Sequence, residues 1–143
     1  MKLLVSVRDV DEALLAAAGG ADFVDLKEPH DGALGALPLA TIAAVVAALR
    51  ARHPGRKISA TVGDPGGLAF AALLERVAAT AACGVDYVKV GLRPGDQATL
   101  AALAVTRATV VPVFVADHGL DAALIDAACA APFPALMLDT EAK

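Results

Sequence analysis

Short apolar runs alternate with longer stretches of helical apolar spacing from one end of this chain to the other. The runs predict strands at Leu3–Val7, Phe23–Lys27, Lys57–Thr61, Tyr87–Val90, Thr109–Val115 and Ala135–Asp139. The stretches between them predict helices at Val10–Ala18, Pro38–Arg52, Leu68–Ala82, Gln97–Arg107 and Leu120–Ala130. Asp9 with Glu12 three residues on makes a capping-box start for the first helix, and Gly19-Gly20 makes its stop. Pro38 suits the first turn of the second helix. Strands this continuously apolar are covered on both faces, which means a parallel sheet wrapped by helices. Two architectures satisfy the pattern. Six strands and five helices in 143 residues make a complete doubly wound sheet of flavodoxin type. They also make the opening units of an eight-fold barrel, which takes about 250 residues when whole. No linker, repeat of simple composition or charge block divides the chain, so residues 1–143 are expected to form a single domain.

Composition narrows the function classes. Hydrophobic residues make up 57% of the chain, but much of the excess is alanine, which packs helices closely against sheets. The segment from Gly32 to Leu49 lacks charge over a length that invites a membrane-span reading. Gly32, Gly35 and Pro38 at its front, ahead of an alanine-rich body, read instead as a loop followed by a helix with one buried face. The N-terminus turns polar at Ser6, too soon for a signal peptide, so a cytoplasmic protein is expected. Cys83 and Cys129 then read as reduced, buried thiols. Aromatic residues at 3% and a net charge of −4 argue against a nucleic-acid partner. His30, His53 and His118 stand singly, without a cysteine or carboxylate at ligand spacing, so no metal is expected. There is no G-x-G-x-x-G and no Walker loop, and the first strand runs into Ser6-Val7-Arg8-Asp9, so no nucleotide or flavin cofactor is expected. Gly63, Gly66 and Gly67 after the third strand suit either a phosphate cradle or a plain tight turn.

The anomalous residues are charges inside strands. Both architectures put chemistry at the carboxyl ends of parallel strands. In Phe23-Val24-Asp25-Leu26-Lys27, side chains alternate, so Asp25 and Lys27 share one face while Val24 and Leu26 take the other. Lys89 occupies the equivalent end of the fourth strand and Asp139 that of the sixth, with Lys143 four residues on. Charges on an inward face are costly unless paired or used. An amine attacks a carbonyl only in its neutral form, which burial and a second cation nearby both favour. Asp25 can orient such an amine or shuttle its proton. An Asp–Lys ion pair that merely closes the barrel mouth is the structural alternative.

At these residues a family resemblance becomes readable. It rests on Leu3-Leu4-Val5-Ser6, Gly19-Gly20-Ala21-Asp22, Asp25-Leu26-Lys27-Glu28-Pro29 and Gly32-Ala33-Leu34-Gly35-Ala36. It continues through Ser59-Ala60-Thr61-Val62-Gly63-Asp64, Asp86-Tyr87-Val88-Lys89-Val90-Gly91-Leu92 and Met137-Leu138-Asp139-Thr140. In these segments the chain resembles the (5-formylfuran-3-yl)methyl phosphate synthases, lyases of methanofuran and methylofuran biosynthesis in one-carbon metabolism. The resemblance implies a TIM-type (β/α) barrel, of which this chain covers about the first six strands and lacks the C-terminal units. It implies a carbon–oxygen lyase that condenses two glyceraldehyde 3-phosphate molecules through a lysine Schiff base, with no cofactor. By the same resemblance Lys27 carries the Schiff base, Lys89 is the proton acceptor, and Asp25, Asp139 and Lys143 line the site. A barrel open after its sixth strand exposes an unpaired edge, so a homo-oligomer or a completing C-terminal chain is the expected macromolecular partner. Two other readings remain: a different class I aldolase acting on a phosphorylated aldehyde, and a non-catalytic truncated-barrel subunit.

Overall fold

The computed structural model describes residues 1–140, and in it six parallel strands pair in strict chain order. They are β1 (Leu4–Val7), β2 (Phe23–Leu26), β3 (Lys57–Thr61), β4 (Tyr87–Leu92), β5 (Val110–Val115) and β6 (Met137–Asp139). Between successive strands run α1 (Val10–Ala18), α2 (Leu39–Arg52), α3 (Phe70–Ala82), α4 (Gln97–Ala104) and α5 (Ala122–Ala130), with one 3-10 turn over Ala116–His118 ahead of α5. A doubly wound sheet reverses its strand order part-way along. Here the order β1-β2-β3-β4-β5-β6 never reverses. The fold is therefore an incomplete (β/α) barrel, and the flavodoxin-type alternative is set aside. Among the described residues β1 pairs only with β2 and β6 only with β5, which leaves a free edge on each.

The strands turn alternate residues outward, and those residues build two layers of core. Val24 and Leu26 of β2 and Ile58 and Ala60 of β3 pack on Ala13 and Ala17 of α1 and on Ile42, Val45 and Leu49 of α2. Ala13 and Ala17, the buried alanines of α1, let that helix sit close to the sheet. Val88, Val90 and Leu92 of β4 and Phe114 of β5 meet Leu100 and Leu103 of α4 and Leu124 and Ala128 of α5. Each large aliphatic side chain so buried contributes about 1.5–3 kcal/mol. No helix among the described residues is long and apolar enough to cross a membrane.

The element ends differ from the sequence expectation where side chains intervene. α4 stops at Ala104 rather than Arg107, because the Thr106 hydroxyl donates to the Leu103 carbonyl at 3.0 Å and competes with the helix. α2 starts at Leu39, with Pro38 as its extended N-cap. β4 runs two residues past Val90, because Gly91 and Leu92 keep pairing with Val113 and Phe114. The capping box is half as expected. Asp9 accepts from the Glu12 N–H at 2.9 Å, but the Glu12 carboxylate reaches the Arg8 N–H at 2.8 Å instead of that of Asp9.

A repeat that the composition conceals sets the lower rim. Gly20-Ala21-Asp22-Phe23-Val24 and Gly84-Val85-Asp86-Tyr87-Val88 occupy the same place before β2 and before β4. Asp22 accepts from the Leu3 N–H at 2.9 Å and pairs with Lys2 at 3.1 Å. Asp86 accepts from the Ile58 N–H at 2.8 Å and pairs with Arg50 at 2.8 Å and Lys57 at 3.5 Å. Each aspartate thus ties the start of its own strand to the start of the one before. Phe23 and Tyr87, the aromatics that follow, meet with ring centroids 6.2 Å apart.

Burial pushes the Asp86 carboxyl up, but hydrogen bonds from Arg50 and from the Ile58 N–H, with the charges of Arg50 and Lys57, outweigh it and hold the group below its usual value. A depressed folded pKa stabilises above the unfolded value and is lost on acidification. The contribution is complete above about pH 5 and drains away as pH falls below the unfolded carboxyl's pKa of about 3.9. Asp86→Asn is expected to lower stability by about 1–2 kcal/mol at pH 7. Urea melts at pH 7 and pH 3 check this, because the deficit must shrink at the lower pH.

Candidate functional site

The inward residues divide the barrel interior into two halves. β1 to β4 contribute polar groups, Ser6, Asp25, Ser59, Thr61 and Lys89, whereas β5 contributes Val113 and Val115 and β6 contributes Met137 and, at its end, Asp139. Strand register puts Ser6, Asp25 and Ser59 side by side on one rung. Asp25, 1% exposed, accepts from the Ser59 hydroxyl at 2.6 Å on Oδ1 and from the Ser6 hydroxyl at 3.2 Å on Oδ2. Lys89, 4% exposed, donates to the same Oδ2 at 2.8 Å. A buried carboxylate needs its lone pairs occupied, and here two hydroxyls and one ammonium occupy them. The pair is the structural counterpart of the two charges that looked anomalous in their strands.

Lys27 lies one residue beyond β2, with its N–H donating to the Val7 carbonyl at 3.1 Å. Thr61 pairs with Lys89, and continuing the β2–β3 register by one residue brings Lys27 opposite Thr61. The two lysines therefore share a rung, two strands and roughly 10 Å apart. They do not line the same cleft. Lys27 faces a groove along the free edge of β1 with Ser6, Arg8, Glu12 and Pro29. Lys89 faces the open barrel interior with Leu4, Ser59, Val111 and Met137. Between the clefts stands the Ser6–Asp25–Lys89 chain of hydrogen bonds, with Ser6 on one side and Lys89 on the other.

Asp139 ends β6, half-buried, with its carboxylate accepting from the Thr140 N–H at 2.8 Å. Lys143 lies outside the described residues. Sequence reasoning missed Ser6 and Ser59, whose signal was their shared register with Asp25. It also passed over Arg8, which closes the Lys27 groove. The Arg8 guanidinium binds the Glu12 carboxylate at 2.6 Å. That hydrogen bond raises the Arg8 pKa and lowers that of Glu12.

Comparison with known proteins decides the family. The family model described as 4-HFC-P synthase matches residues 3–143. The chain belongs to this family. Among relatives of the 4-HFC-P synthase family, a Methylorubrum extorquens protein named for (5-formylfuran-3-yl)methyl phosphate synthase is 42% identical over 144 residues. That match covers 99% of this chain and 58% of the relative. The (5-formylfuran-3-yl)methyl phosphate synthase of Methanosarcina mazei is 49% identical over 96 residues, covering 64% of this chain and 38% of the enzyme. The chain thus spans little more than half the length of the first relative and less of the second. Solved structures of oxaloacetate acetylhydrolase (TM-score 0.68, 16% identity, 96% of this chain and 53% of that one) and of Streptomyces platensis phosphoenolpyruvate phosphomutase (TM-score 0.63, 17% identity, 96% and 54%) share the fold. At such identities the likeness speaks for the barrel architecture alone.

Proposed function

We propose that this chain supplies the lysine-bearing part of a (5-formylfuran-3-yl)methyl phosphate synthase that works through a Schiff base on Lys27. The observation that carries the reading is the buried Lys89–Asp25 pair at 2.8 Å, inside β4 and β2 with Lys27 one residue beyond the end of β2, within a member of the 4-HFC-P synthase family. Two glyceraldehyde 3-phosphate molecules enter, and one furan aldehyde phosphate, one inorganic phosphate and two waters leave. The Lys27 amine adds to the first aldehyde carbon and water departs, leaving an imine that drains electrons from the neighbouring carbon. Lys89, having passed its proton to Asp25, takes the proton from that carbon. The resulting enamine attacks the second aldehyde, and phosphate loss with ring closure completes the furan. Lys27 is the free amine of the set, since among the described residues its ammonium forms no hydrogen bond or ion pair. Asp139 and Lys143 are proposed to complete the wall of the site from the β6 side. The free edges of β1 and β6 are proposed to be closed by the remaining barrel strands, carried on further polypeptide or on a partner chain.

Borohydride reduction in the presence of glyceraldehyde 3-phosphate, followed by intact-mass and peptide analysis, tests this. A reduced adduct on Lys27, absent from Lys27→Ala, is the expected result. An adduct on another lysine would overturn the assignment, and none at all would favour a non-catalytic barrel subunit. Release of a product other than the furan aldehyde would favour a different aldolase.

A further inference from the structure

Lys27 shares its groove with a second cation. The ladder of β1 and β2 ends with Val7 beside Leu26, and the Lys27 N–H extends it by donating to the Val7 carbonyl at 3.1 Å. Carrying the register on by one residue sets Arg8 beside Lys27, their backbones about 5 Å apart. Both side chains line one groove with Ser6, Glu12 and Pro29. Its volume of about 520 Å³ suits a small molecule. Arg8 is aimed by the start of α1. Its N–H donates to Glu12 Oε2 at 2.8 Å, and its Nε and Nη2 donate to Glu12 Oε1 at 3.2 and 2.6 Å. Glu12 stands in the first turn of α1, and its own N–H donates to the N-cap Asp9 at 2.9 Å. The helix start thus fixes the carboxylate, and the carboxylate fixes the guanidinium.

A guanidinium carries five N–H donors in a rigid fork. Glu12 takes only the edge formed by Nε and Nη2. The end of the fork stays open, because Nη1 forms no hydrogen bond among the described residues. That open end is the one that grips phosphate or carboxylate oxygens two at a time. Two other carboxylates act on Arg8 through their charge, those of Glu28 and Asp9, but neither closes the fork. Glu28 accepts from the His30 N–H at 3.1 Å, and Asp9 is spent on the helix cap. A plain surface ion pair contributes little and does not call for this place. Arg8 stands at the carboxyl end of β1, where a barrel of this kind holds its ligands, and beside a lysine without an ion-pair partner among the described residues.

We propose that Arg8 binds the phosphate of the aldehyde that reacts with Lys27, gripping its oxygens with the open end of the fork while the carbonyl carbon meets the amine. In a three-carbon aldehyde the phosphate sits at the end opposite the carbonyl, so the two cations engage the two ends of one molecule. This rests on the Schiff-base reading above, and the test separates the two. Borohydride trapping at Lys27 is titrated with glyceraldehyde 3-phosphate and, separately, with glyceraldehyde, and the half-saturating concentrations are compared. Wild type is expected to need about tenfold less, or lower still, of the phosphorylated aldehyde, the scale of a charge-assisted hydrogen bond. Arg8→Met is expected to shrink that preference by about tenfold or more. Arg8→Lys, a milder change in case methionine prevents folding, keeps the charge without the fork and is expected to fall in between. An unchanged preference in the folded variants, or no preference in wild type, overturns the phosphate site and leaves the Schiff base standing. Equal weakening of both aldehydes does the same, since it marks Arg8 as a brace for the turn between β1 and α1. No adduct in wild type with either aldehyde overturns the Schiff-base reading and the phosphate site together.

Discussion

Asp25→Ala is expected to lower stability by about 3–5 kcal/mol, because it strands the Lys89 ammonium in a buried site with nothing to neutralise it. Lys89 is 4% exposed, and its one hydrogen bond among the described residues is to Asp25 Oδ2. The loss is larger than the pair's own contribution, since most of it is the penalty of an unpaired buried charge. The mirror change should hurt less. In Lys89→Met the carboxylate keeps the Ser59 hydroxyl at 2.6 Å and the Ser6 hydroxyl at 3.2 Å. Asp25→Leu with Lys89→Met removes both charges and is expected to be more stable than Asp25→Ala alone. Denaturant melts of the single and double variants measure the coupling directly. If Asp25→Ala costs under about 1 kcal/mol, Lys89 has another means of neutralisation and the buried pair is not what holds it.

Asp25 and Lys89 were legible because a charge within an apolar strand is out of place, and alternation alone assigns its face. Ser6 and Ser59 were not, since a serine in a strand is unremarkable until register sets it beside a buried carboxylate. The strand ladder is a long-range fact, and spacing within one segment does not contain it. Strand order was hidden for a related reason. Whether successive helices fall on one side of a sheet or on both depends on crossovers, and alanine-rich helices such as α1 carry little to distinguish them. The aspartate repeat ahead of β2 and β4 was on the page as Gly20-Ala21-Asp22 and Gly84-Val85-Asp86, and it marks the two equivalent strand starts. Gly91 reads along the chain as the end of a strand. In three dimensions it is a mid-strand gap kept open for Leu34 and Pro65, and so β4 outlasts its predicted end. Leu34 itself carried no local signal, because nothing in a loop sequence tells an exposed leucine from one that folds back over a barrel.

Lys27 and Lys89 face different clefts, so their roles in the chemistry can be separated, and Lys89→Met is the variant that does so. It is expected to leave borohydride trapping on Lys27 in place while furan aldehyde formation falls by about 10²–10⁴-fold, the usual contribution of a positioned proton acceptor. Imine formation asks only for the Lys27 amine, which lines its own groove beside Arg8 and Pro29. Proton removal from the bound substrate asks for a base, and Lys89 reaches across to Asp25 from the neighbouring cleft. The two readouts must therefore come apart if the roles are as proposed. Loss of trapping together with turnover would mean that Lys89 instead serves the imine step. Retention of both would return the Lys89–Asp25 pair to a purely structural role, bracing β2 against β4 across Ser59.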